Sequence, residues 1–137
     1  MSTATLTTNA ATVASMYEAF GKGDIASILS NVDNSCEWIG AGGEYTPQGG
    51  TYRGQEAANF FLKLGETAEF TSFNPIAIHN IGDNEVVAFG TMAGNSRITG
   101  KSSSSDWAMH FKFNEAGKVV YFQDFHNTAA VYVSNLG

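Results

Sequence analysis

The chain has 137 residues, of which 43% are hydrophobic and 15% charged, with a formal net charge of −6. This size and apolar share fit one domain, residues 1–137, that buries a core without disulfide or metal staples. The acidic balance and the lack of any Lys/Arg cluster argue against a nucleic-acid partner, and no apolar run is long enough to cross a membrane.

A lone cysteine, Cys36, rules out an internal disulfide framework and suits a reducing compartment. Residues 1–7 read as a flexible N-terminus, polar and Thr-rich, without the charged and apolar regions of a secretory leader. A cytoplasmic protein is expected.

Ala10, Val13, Met16, Tyr17 and Phe20 form the first helical stripe, with Thr8 or Asn9 placed to cap it and Gly21 or Gly23 to end it. Asp24 caps a short second helix whose apolar side is Ile25, Ile28, Leu29 and Val32. Cys36 to Ile39 reads as a brief strand that turns Trp38 inward. The stretch from Gly40 to Tyr52, with five Gly and one Pro, reads as a long loop carrying Glu44, Tyr45 and Gln48. Ala57, Phe60, Phe61 and Leu64 restore helical spacing, with Gly65 as the expected stop.

From Thr67 onward the pattern is that of strands, around 67–81, 85–95, 103–113 and 118–126, with Pro75 marking an edge strand or a bulge. Asn127 and Thr128 then cap a short terminal helix through Val133. Helices followed by a run of strands predict an α+β fold with the helices packed on one sheet face.

The last hairpin carries the chemistry. Period-two alternation sets Val120, Phe122, Asp124 and His126 on one face of the final strand, and Trp107, Met109, Phe111 and Phe113 on one face of the strand before it. A four-residue loop over Asn114–Gly117 pairs Phe113 with Lys118, Phe111 with Val120, Met109 with Phe122 and Trp107 with Asp124. A carboxylate inside an aromatic wall, facing an indole N–H, is the kind of group that takes up and returns a proton at neutral pH. Its ordinary alternative is a solvated or turn-capping Asp at a strand end, as His126 has the alternative of a half-exposed polar residue. His110 falls on the opposite face with Asp106, Lys112 and Tyr121. No His, Cys or acid spacing makes a recognisable metal site, and Gly40–Gly43 is no phosphate loop, because no Lys-Ser/Thr follows it.

Four stretches, in this order, resemble the nuclear transport factor 2-like superfamily, and within it the SnoaL-like and ketosteroid isomerase-related proteins. They are Met16–Ile25 with its run into Gly23-Asp24, Gly50-Thr51-Tyr52-Arg53-Gly54, Thr99-Gly100-Lys101, and Gly117–Asp124. The resemblance implies a cone: a strongly curved mixed or antiparallel sheet wrapped around three N-terminal helices, with one deep apolar pocket and frequent dimerisation through the outer sheet face.

The same resemblance distributes roles. The helix-one tyrosine of the ketosteroid isomerase pattern matches Tyr17, but its catalytic base falls near Ile39 and its second oxyanion donor on Met109, so that mechanism does not transfer. The acid/base aspartate of the SnoaL-like cyclase pattern aligns with Asp124. Three functions follow as expectations. The first is a cofactor-free cyclase- or isomerase-type enzyme in which Asp124 shuttles a proton on a hydrophobic carbonyl compound, with Trp107, Tyr17 and His126 as candidates to orient an enol or carbonyl oxygen and Trp38, Met109 and Phe122 around the substrate. The second is a module that binds a small apolar molecule without turnover. The third is a dimeric interaction protein with a filled pocket. A cavity of several hundred Å³, the usual size of a ligand site, that reaches Asp124 would support the first two. A homodimer is expected, with Val119, Tyr121, Phe125 and Ala108 near the centre of its interface.

Overall fold

In a computed structural model that describes residues 8–137, helix α1 (Asn9–Gly21) starts where Thr8 accepts a hydrogen bond from the Ala11 amide at 3.1 Å. The expected flexible tail, residues 1–7, lies outside the described residues. Helix α1 buries Val13, Met16 and Ala19. Asp24 caps α2 (Ile25–Leu29), and the chain then extends at once into β1 (Val32–Gly40), so Val32 opens a strand instead of closing a helix. β1 is longer than the alternation of Cys36 and Trp38 alone conveys.

The Gly-rich stretch is more ordered than expected. It holds a single helical turn at Gly43–Tyr45 and ends in β2 (Gly50–Arg53). A further turn at Gly54–Glu56 leads into α3 (Ala57–Thr67). Gly65 does not stop this helix; the chain leaves it at Ala68, whose extended backbone begins β3 (Ala68–Ile81). β4 (Glu85–Ser96), β5 (Ser102–Phe113), β6 (Val119–His126) and α4 (Thr128–Ser134) complete the chain.

The strands form one curved, unclosed six-stranded sheet in the order β2-β1-β6-β5-β4-β3. It is mixed: β1 runs parallel to β6 and every other pair is antiparallel. Pro75 lies in the edge strand β3, next to a register shift between Pro75 and Ala77, which accommodates its missing N–H. The core gathers Val13, Trp38, Phe60, Trp107, Phe111 and Phe122 between the helices and the inner sheet face. Gly90 is required there by close approach: a Cβ on it would come within 2.2 Å of the Trp107 ring.

The hairpin register differs from the expected one by two residues, in two steps. The Asn114 amide bonds to the Lys118 carbonyl at 2.9 Å, so the loop has three residues and turns on Gly117 at φ 79°. Farther on, Lys112 lies opposite Tyr121 but Phe113 opposite Val119, which leaves Val120 as the extra residue of a bulge. Each step alone would reverse the face of every later residue; together they restore it. Phe122 therefore opposes Phe111, Asp124 opposes Met109, and His126, not Asp124, opposes Trp107. Val119 enters the core and is fully buried, so it cannot belong to an outer interface.

Candidate active site

Between the helices and the inner sheet face lies a cavity of about 120 Å³. Its wall is aromatic and aliphatic, with Tyr17, Trp38, Phe60, Phe61, Met109 and Phe122 among its residues, and its rim is polar through Asn95, Ser96 and Ser103–Ser105. Val131, Ser134 and Asn135 bring α4 against the same cavity. It is narrower than expected because rings pack on rings: Phe73 stacks on Trp107 at 5.0 Å between centroids, and Tyr17 meets Trp107 at 5.4 Å.

Asp124 and His126 reach this cavity from alternate positions of β6, the spacing that keeps two side chains on one face. His126 Nδ1 lies 2.7 Å from Asp124 Oδ2, and the two side chains are only 2% and 8% exposed. Among the described residues, the other polar atom of each, Asp124 Oδ1 and His126 Nε2, finds no hydrogen-bond partner though buried, and neither does Trp38 Nε1. Buried polar atoms are nearly always paired, so these three atoms on residues of one cavity single it out as the candidate site. Trp38 stands opposite Phe122 across the parallel β1/β6 pair and stacks on it at 3.9 Å.

Tyr17 projects from α1, and its hydroxyl donates to Met109 Sδ at 3.1 Å. Burial, and then the charge of Asp124, push the phenol well above its ordinary range, so it stays protonated as a donor. Among the described residues, no group of three His, Cys, Asp or Glu is placed to hold a metal ion.

The SnoaL-like domain family matches residues 13–122. The chain belongs to that family. Its fold is shared by an NTF2-like protein from Burkholderia thailandensis E264, 29% identical over 95% of this chain and 98% of that one, with a TM-score of 0.84. TerC, solved in co-crystals with polyporic acid, is 23% identical over 93% of this chain and 97% of its own, with a TM-score of 0.77. A protein from Xanthomonas campestris pv. campestris that carries the provisional name polyketide cyclase is 17% identical over 93% of this chain and 96% of its own, with a TM-score of 0.72. No curated protein matches the chain. The family match ends at Phe122, before Asp124 and His126, so the roles of those two residues rest on their geometry.

This SnoaL-like cavity brings together Tyr17, Trp38, Met109, Phe122, Asp124 and His126. Trp107 is the exception. It is buried behind the wall, its indole N–H donates to the Thr91 carbonyl at 3.1 Å, and it buttresses Phe73 and Tyr17 instead of touching the cavity. It is therefore not available to a ligand oxygen. His110 pairs with Glu85 at 2.7 Å, away from the cavity. Gln48 is buried and lines the cavity, whereas its loop neighbour Tyr45 is exposed and packs on Tyr132.

Sequence reasoning missed two things. Among the described residues the indole N–H of Trp38 has no partner, so it is a donor as well as a wall, and Ser103–Ser105 of β5 form part of the cavity lining. The alternation of Cys36 and Trp38 signals the inward indole. Nothing local signals that its N–H lacks a partner.

Proposed function

We propose that this SnoaL-like domain is a cyclase- or isomerase-type enzyme that moves a proton on a hydrophobic carbonyl compound, with no cofactor, at the Asp124–His126 pair. The observation that carries this reading is the buried 2.7 Å pair whose outer atoms, Oδ1 and Nε2, have no protein partner and belong to residues of an apolar cavity.

With Asp124 ionised and the imidazole neutral, Nδ1–H donates to Oδ2 and fixes the tautomer, leaving the Nε2 lone pair free to accept a proton. A C–H bond next to the substrate carbonyl breaks and its proton passes to Nε2. The C–H electron pair becomes the C=C bond of an enolate, and the carbonyl pair moves onto oxygen. The imidazolium formed is stabilised by Asp124, and return of the proton to a different atom completes an isomerisation or sets up ring closure. Tyr17, held protonated, is a donor beside this charge.

The test is hydrogen exchange. The protein should catalyse replacement of the acetyl-methyl hydrogens of 4-hydroxyacetophenone by deuterium in D₂O, followed by proton NMR. A rate equal to that of buffer in the presence of a bound ligand would instead establish a binding module without turnover. A further reading, an interaction protein with a filled pocket, is favoured by the narrowness of the cavity, about 120 Å³ against the several hundred expected of a ligand site.

A further inference from the structure

We infer that the ligand of this cavity is an uncharged, flat, single-ring hydroxy-carbonyl compound, and that the indole N–H of Trp38 holds its carbonyl oxygen. The inference rests on the proton-transfer reading of the same cavity and names the class of compound it acts on.

Trp38 is 2% exposed, stacks on Phe122 and meets Phe60 at 5.9 Å between centroids. A phenylalanine would make the same kinds of contact. What the indole adds is a buried N–H without a partner, at a cost of about 1–3 kcal/mol if it stays unpaired. An indole N–H only donates, so its partner is an acceptor oxygen. The β1/β6 register sets Trp38 beside Phe122, one same-face step from Asp124, or roughly 7 Å along the strand. One molecule can thus offer an oxygen to Trp38 and a hydroxyl or an acidic C–H to Asp124 Oδ1 or His126 Nε2. When that C–H bond breaks, the charge that grows on the oxygen meets the Trp38 N–H.

Charge, size and shape narrow the class further. Among the described residues no Lys or Arg lines the cavity, so a carboxylate or phosphate would be buried beside Asp124 without a guanidinium or ammonium to neutralise it. A dry apolar cavity of about 150 Å³ holds benzene, so this one, at about 120 Å³, has room for no more than a single ring. Trp38, Phe61 and Phe122 are aromatic residues of its lining.

The chain has two tryptophans, which gives the test an internal control. In ¹⁵N-labelled protein the Trp38 indole resonance should move downfield on addition of 4-hydroxyacetophenone, while Trp107, already bonded to Thr91, stays in place. 4-Ethylphenol, which lacks the carbonyl, should bind about tenfold more weakly. 4-Hydroxybenzoate and three-ring 1-hydroxyanthraquinone should bind more weakly still. In Trp38→Phe the preference for the ketone over 4-ethylphenol should collapse to parity, with an unchanged Trp107 resonance reporting an intact core. The inference is overturned if the ketone binds and leaves the Trp38 resonance in place, or if 4-ethylphenol, the benzoate or the anthraquinone binds as tightly. Absence of binding by all four probes also overturns it. A Trp38 shift without hydrogen exchange would defeat the proton-transfer reading and leave this inference standing.

Discussion

Asp124 Oδ2 and His126 Nδ1 hold each other at 2.7 Å from alternate positions of one strand, both side chains buried, and among the described residues no Lys or Arg lines the cavity around them. In the proposed mechanism this contact fixes the imidazole and makes Nε2 the atom that exchanges a proton. His126→Gln replaces the base by an amide of similar reach. The catalysed exchange rate should fall by about 10²–10⁴-fold, while the affinity for 4-hydroxyacetophenone, measured by titration, changes little.

Phe122 is the wall that both tryptophan stacking and the β5/β6 pairing lean on, in contact with Trp38 at 3.9 Å and Phe111 at 5.1 Å between centroids. Phe122→Ala should lower stability by about 3–5 kcal/mol in urea unfolding. Ligand affinity should fall with it, because the cavity loses one flat surface.

Cys36 is fully buried, and burial, followed by the charges of Asp33 and Glu37, pushes its thiol up to about 12. The folded protein therefore keeps this proton where the unfolded chain, near the ordinary value of 9.0, has released it. The resulting stability is fully present below pH 9 and is lost as pH rises toward 12. Urea midpoints measured from pH 8 to pH 11 should decline, and Cys36→Ala should decline less steeply. The native thiol should also resist iodoacetamide at pH 8.

Most of the fold was legible because its signals are local. Thr8, Asp24 and Asn127 cap the helices they were expected to cap. Pro75 lies on an edge strand beside a bulge, and the long strands follow their Val, Phe and Ile alternation. The bulge at Val120 was not legible: nothing in Lys118-Val119-Val120 distinguishes which valine is extra, and the core decides by burying Val119. The inward orientation of Asp124 and His126 survived this error because the two register shifts cancel. The engagement of Trp107 by Thr91 depends on close packing against Gly90 that no local pattern encodes.

On the outer sheet face, Phe89, Ala108 and Phe125 lie side by side across β4, β5 and β6, and Phe89 and Phe125 are each 47% exposed. A row of this kind is more apolar than a solvated sheet face requires. We expect a second copy of the chain to cover it, with Val119 excluded from the contact by its burial. Light scattering at micromolar concentration should report a dimer, and Phe125→Glu a monomer. A monomeric wild-type protein would contradict this.

The most direct test of the account is the rate of acetyl-methyl exchange in D₂O by Asp124→Asn beside the wild type. The amide preserves shape and can still accept the imidazole N–H, but it cannot stabilise the imidazolium or carry a proton. Catalysed exchange should fall by about 10²–10⁴-fold with 4-hydroxyacetophenone still bound. Exchange by Asp124→Asn at the wild-type rate would show that Asp124 takes no part in the proton transfer.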